Sequence, residues 1–221
     1  MQDLTRERIL DAAEALFSEH GFAKTSLRMI TTSAGVNLAA VNYHFGSKRA
    51  LIQEVFTRRL VPINAERLQN LATLERHDTP PTVEQLLEAF IGPTFKPHGV
   101  ADPGEVRFMR LLGRTQAGAA TSLRQFVHSL YDKVLERFKT ALAQVLPDIP
   151  EIELYWRLHF LLGSVSYSLA AADTTTLIND CQLQGQHDNQ ALLQRLIPFL
   201  AAGLAAPVPA GLKTQSEEEI S

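Results

Sequence analysis

Cysteine, tryptophan and methionine are scarce in this chain: one, one and three among 221 residues. The lone Cys181 excludes an intrachain disulfide framework and any zinc site built from several cysteines. No apolar run approaches the roughly 18 residues that a bilayer-crossing helix needs. The opening residues, with Gln2, Asp3 and Glu7, lack the basic and apolar blocks of a secretory signal. We therefore expect a reduced, cytoplasmic protein with no membrane partner. Also missing are a glycine-rich phosphate loop, a His/Glu metal spacing and a nucleophile motif. No enzyme activity, cofactor or metal is expected. Asp3, Glu7, Asp11 and Glu14 recur at helical spacing and read as an acidic face, not an acid/base pair.

The net charge of −3 hides an asymmetry. Residues 1–60 carry 8 Lys/Arg against 6 Asp/Glu, a net of +2, and residues 61–221 carry 13 against 18, a net of −5. Between 21 and 60 stand Lys24, Arg28, Lys48, Arg49, Arg58 and Arg59, opposed only by Glu54. Positive charge is concentrated where phosphates could be met. A solvated helix face is the competing reading, and charge alone does not separate the two.

Apolar residues recur at helical spacing nearly everywhere, and no segment alternates with period two. Residues 6–20 place Ile9, Ala13, Leu16 and Phe17 on one face, and Gly21 stops that helix. Thr25 or Ser26 caps a short helix running to about Ala34, and Gly35–Val36 make a turn. Asn37 caps a second short helix ending near His44. Gly46 breaks it, and Ser47 caps a long helix that Pro62 bends or interrupts. Further helices are expected at about 82–95, 103–117, 120–146, 151–172 and 188–205, with a polar connection over 173–187. The expected fold is all-α, about nine helices. A three-helix DNA-binding domain (1–50) precedes a helical effector-binding and dimerisation domain (51–206), and 207–221 form a disordered tail.

Two short helices joined by a glycine turn and braced by an amphipathic helix make a helix-turn-helix. The second helix enters a major groove about 12 Å wide and shows its leading edge to the bases. Leu38, Ala39, Ala40 and Asn42 are expected on that edge, with Val41 and Phe45 packing behind it. Asn42 can pair bidentately with adenine, and Ala39 and Ala40 can touch thymine methyls. Arg28 can reach a guanine or a phosphate; Ser26, Tyr43, His44 and Lys48 suit phosphate oxygens. Lys48 also adjoins a helix start whose amides attract anions. Asn37 is counted with the DNA-binding residues. Against this, Tyr43 and His44 could simply cap the core, and the alanines could be plain helix formers.

The run over residues 9–51, ILDAAEALFSEHGFAKTSLRMITTSAGVNLAAVNYHFGSKRAL, resembles the N-terminal domain of the tetracycline-repressor (TetR) family. Leu16–Phe17, Gly21–Phe22, Thr25–Ser26, Gly35–Val36, Tyr43–His44–Phe45 and Ser47–Lys48 carry the resemblance. It implies a homodimeric repressor released from double-stranded DNA by a small ligand. The chain departs at Ala40–Val41–Asn42, where many relatives have Ser/Thr-Leu-Tyr, so base reading by Asn42 is inferred from chemistry. Residues 35–56 together with FMRLLGR (108–114), ELYWRLHFLLGS (153–164) and IPFLAAGL (197–204) resemble PsrA-type fatty-acid-responsive repressors. That resemblance implies a long-chain fatty acid or acyl-CoA as effector. The alternatives left open are an activator, a regulator with another ligand or none, and, from a different class, a helical lipid carrier or enzyme.

For the regulatory half, Phe90, Phe108, Met109, Leu112, Phe126, Tyr131 and Phe138 are expected to line an apolar effector pocket, with ordinary core as the competing reading. Arg107, Arg110 or Arg114 could receive a ligand head group. Leu161, Leu162, Leu169, Leu196, Phe199 and Leu200, beside the small residues Gly163, Ser164 and Ser166, are expected at a four-helix dimer interface. Trp156, His159 and Tyr167 read as polar groups on a buried helix, with His159 a core histidine. Cys181 reads as inert.

Overall fold

Ile9, Leu10, Ala13 and Phe17 recur every three or four residues, and all four are fully buried. That stripe is the reason α1 (Gln2–Lys24) forms, and it is the floor on which the next two helices pack. The computed structural model describes residues 2–95, 121–170 and 189–209, together with Phe108, Leu111, Leu112 and Thr115. Among the described residues it contains eight helices and no strand. After α1 come α2 (Leu27–Ala34), α3 (Leu38–Phe45), α4 (Lys48–Leu74) and α5 (Val83–Phe95). Then follow α6 (Thr121–Val145), α7 (Glu151–Ala170) and α8 (Asn189–Ala205). Most of the helix expected at 103–117, the connection at 173–187 and the tail from 210 onward lie outside the described residues, as do Met109, Arg107, Arg110, Arg114 and Cys181.

The chain breaks its helical path at Gly21 (φ 79°, ψ 167°) and then resumes it to Lys24. The buried Thr25 closes the break, its hydroxyl donating to the carbonyls of Gly21 (2.8 Å) and Leu16 (3.1 Å). Ser26, not Thr25, caps α2. Pro62 neither ends nor interrupts the fourth helix, which continues through it to Leu74. Its exposed side lets the carbonyl that lost an amide turn to water, while buried Leu60, Ile63 and Leu71 hold the helix on the other side.

The described residues fall into two compact units. The first holds the chain up to Glu66 and the described parts of 96–133 and 166–181; the second holds the remainder. In the first, the α1 stripe, Ile30, Val41, Leu51, Val55 and Phe56 share one core with Phe108, Leu111 and Val127. In the second, α5 packs on α8, and two buried arginines brace helix ends. Arg67 donates to the Phe90 carbonyl at 2.7 Å and lies 4.5 Å over its ring. Arg157 donates to the carbonyls of Leu204 and Ala206, both at 2.6 Å, closing the end of α8.

The acidic face of α1 is not a free surface. Glu14, 3% exposed, takes Arg59 on both carboxylate oxygens (2.7 and 3.0 Å) and Arg58 on one (2.7 Å). Arg58 also reaches Asp11 (2.7 Å) and Glu7 (3.1 Å). Burial opposes the charge on Arg58, but the hydrogen bonds it donates to Glu14 and Asp11 outweigh that and hold its pKa above the ordinary arginine value. Replacing Glu14 by Gln removes the shared counter-charge from two arginines that are four-fifths covered. Urea unfolding should show a loss of about 2–4 kcal/mol. A loss under about 0.5 kcal/mol would mean the cluster behaves as an exposed surface network.

Candidate DNA interface

Each short helix carries its own start signal. The Ser26 hydroxyl accepts from Met29 N (3.2 Å), and Asn37 Oδ1 accepts from Ala40 N (2.9 Å). Between them the α2 carbonyls of Thr31 and Thr32 are taken up by the amides of Val36 and Gly35. Ser47 caps α4 in the same way, accepting from Ala50 N at 3.1 Å.

Val41 and Phe45 are buried, so α3 can turn only its opposite side outward. Leu38 and Asn42, one turn apart, and Ala39 and Tyr43, one turn apart, form that exposed face. Leu38 is 50% and Tyr43 74% exposed, so the outward face carries a large aliphatic and a large aromatic side chain beside the Asn42 amide. Ala40, expected on the same edge, is half-buried against the core, and Tyr43 stands in the outward position instead. His44 is half-buried, its ring edge-on to Tyr43 at 5.1 Å. Ser26 and Arg28 are exposed at the start of α2. Asn37 and Ser26 use their oxygens as caps, which leaves N–H and O–H hydrogens for an acceptor such as a phosphate.

The basic residues divide by role. Lys48 is half-buried and donates one hydrogen to the Phe22 carbonyl at 2.6 Å, so part of its work is internal. Arg58 and Arg59 are held by Glu14 and are removed from the cations available to phosphates. Lys24, Arg28 and Arg49 remain exposed. Arg49 was not among the expected contacts, although its place one residue after Lys48 in the first turn of α4 marked it as readily as its neighbour.

The described aromatic residues expected at an effector pocket are divided between the two units. Phe108, Leu112, Phe126 and Tyr131 pack on the core of the first unit, with Phe56 and Phe108 rings 5.7 Å apart. Phe90 and Phe138 meet edge-to-face at 5.1 Å in the second unit. There they line a cavity with Leu86, Leu87, Leu135, Leu142, Leu158, Leu161 and Leu162. The cavity is small, about 20 Å³, with room for roughly one water molecule. The expected interface leucines are also turned inward: Leu161, Leu196 and Leu200 are buried within the chain, and Leu162 is half-buried. The side chain of Leu169 lies outside those described. Phe199 is 69% exposed, as expected of a contact residue. Trp156, His159 and Tyr167 are exposed rather than buried, so His159 is not a core histidine. The helix-period pattern of α7 is apolar on both sides, and its inward side is taken by the leucines.

Comparison with known proteins follows this geometry. Residues 9–55 match the model of bacterial regulatory proteins of the tetR family. Residues 88–203, more than half of the chain, match the tetracyclin repressor-like C-terminal domain. The regulator UidR of Escherichia coli K12 is 45% identical over 51 residues, covering 23% of this chain and 26% of its own length. The chain thus matches about a quarter of the length of such curated relatives. Among solved structures, SmeT, the Stenotrophomonas maltophilia repressor of a multidrug efflux pump, is similar in its complex with triclosan. It gives a TM-score of 0.64 at 28% identity, over 94% of this chain and 93% of that one. The fatty acid degradation regulator FadR of Bacillus halodurans gives 0.66 at 18% identity over 90% and 96% of the two chains, a likeness of fold alone. FadR of Bacillus subtilis with stearoyl-CoA gives 0.61 at 18% over 89% and 98%.

The Asn42 amide stands exposed on the outward face of α3, free to meet a base edge. Asn42→Ala should weaken binding to the preferred duplex by about 1–3 kcal/mol and relax selectivity at one base pair. Binding to a library with each position randomised measures both, and unchanged selectivity would refute the assignment.

Proposed function

Because the chain belongs to the TetR family of DNA-binding transcriptional regulators, we propose that it is a homodimeric repressor released from a palindromic operator by a hydrophobic effector. Residues 1–50 are the DNA-binding domain in this reading, and 51–206 bind the effector and the second subunit. The observation that carries it is the outward face of Leu38, Ala39, Asn42 and Tyr43 over buried Val41 and Phe45. Two such helices must lie about 34–36 Å apart to enter successive major grooves on one side of the duplex. A dimer supplies that spacing.

An exposed apolar row favours a second copy as the partner of α7 and α8. Ile152, Trp156 and Phe160 follow one another at helical spacing with 64%, 55% and 61% exposure, and Phe199 adds another aromatic. Large apolar groups standing in water in this number mark an interaction surface. The expected leucines give way to these residues as the proposed contacts. Phe160→Glu should leave the protein folded and monomeric in sedimentation, with operator affinity about a hundredfold lower. A dimer surviving that substitution would rule out this face.

The cavity bounded by Phe90 and Phe138 is lined by apolar residues apart from Lys139. A long acyl chain does not fit its present volume, so binding requires the lining helices to part. A ligand that binds only the parted form shifts the protein toward it, and a few kcal/mol of difference empties the operator. FadR with stearoyl-CoA supports a fatty acid or acyl-CoA, and SmeT with triclosan supports a second reading, a lipophilic toxic compound. Operator affinity at fixed salt should fall at least tenfold with oleate or oleoyl-CoA. Release by triclosan and by neither lipid would replace the first reading with the second.

A further inference from the structure

Arg8 projects from α1 to the turn of the helix-turn-helix. Its Nη2 donates to the Ala34 carbonyl at 2.5 Å and to the Gly35 carbonyl at 3.4 Å. The carbonyls of Thr31 and Thr32 are already bonded to backbone amides, and Arg8 supplies a donor to the last carbonyl of α2, that of Ala34. A guanidinium there also meets the negative end of that helix. Gly35 makes the approach feasible. It sits at φ 63°, and a Cβ built on it would lie 2.7 Å from Arg8 Nη2, so side chain and turn occupy one space. The backbone of Arg8 cannot drift to compensate, because Ile9 and Leu10, which follow it, are fully buried.

Only residues 35–37 separate this anchor from the first residue of α3, and Asn37 is already committed to capping that helix. The far end of α3 is referenced to the same stretch of α1. Arg6 lies over the ring of Phe45, the last residue of α3, at 5.7 Å, and is itself tied to Glu54. The first turns of α1 thus hold α3 at both ends.

We propose that Arg8 is a positioning residue for DNA reading: it pins the α2–α3 turn and so sets the angle at which Leu38, Asn42 and Tyr43 meet the bases. The inference rests on α3 being the reading helix. It assigns Arg8 no phosphate contact. Its effect on binding is therefore on fit and not on charge neutralisation.

The test uses the full chain and the duplex that the wild-type protein selects from a random library. Arg8→Ala should bind that duplex about tenfold more weakly, while affinity for unrelated duplex and the slope of log affinity against log salt stay at wild-type values. Arg8→Lys should recover most of the loss, because a single nitrogen makes the contact and the planar fork is not used. Gly35→Ala should cost less in the Arg8→Ala protein than in the wild type, since part of its penalty is collision with the guanidinium. Should Arg8→Ala unfold, Arg8→Gln carries the same comparison. Unchanged affinity for the selected duplex overturns the proposal. So does a salt slope smaller by about 0.9, which signals a lost phosphate contact. Specific and non-specific binding falling together with the urea midpoint would make Arg8 a stability residue only, and would overturn it too. A wild-type protein that selects no duplex would instead reject the reading of α3 itself.

Discussion

A helix of eight residues does not hold itself together in water; isolated helices need about 12–15 residues even with favourable sequences. Both α2 and α3 have that length, so their existence depends on what grips them. Side-chain caps fix their starts, and Val41 and Phe45 fix the back of α3 in a core where Phe17, Phe22, Phe56 and Phe108 stand in a run of ring contacts 5.4 to 6.2 Å apart. Burying one side of so short a rod leaves the other side no choice of direction. The outward row of Leu38, Ala39, Asn42 and Tyr43 follows from that constraint, and the proposed groove reading rests on the row.

Charge is arranged by removal. An acidic face on α1 and a basic run on α4 would, if both were solvated, nearly cancel along the first sixty residues. Instead Glu14 is buried with Arg58 and Arg59 against it, and Asp11 and Glu7 complete the set. Arg58 and Arg59 are thereby spent inside the unit, and Arg8, Lys24, Arg28 and Arg49 are left as exposed positive groups in that stretch. One cost remains in this cluster: Arg58 Nε is buried with no partner.

The second unit keeps its apolar residues in two populations. Leucines of α5, α6 and α7 close around a small cavity, whereas Trp156 and Phe160 of α7 and Phe199 of α8 stand in solvent. A cavity this small and an uncovered aromatic row suit the proposed ligand-released dimer: an interior that must change to admit a guest, and an exterior that another chain can cover.

How much of this was legible beforehand differs by element and has one physical cause. Capping, helix period and turn glycines are local, so Ser26, Asn37, Ser47, Gly35 and the bounds of α5 to α8 could be read from residues a few places apart. The burial of Val41 and Phe45, and so the exposed Asn42, followed from the same 3.6-residue period. The sequence by itself therefore determined the all-helical fold and the outward face of α3. Tertiary structure alone decided the pairings that span 26 to 45 positions: Arg8 on Ala34, Lys48 on Phe22, Arg58 and Arg59 on Glu14. It also decided which apolar side of α7 faced inward, because a helix apolar on both sides carries no local mark of where its neighbours will stand.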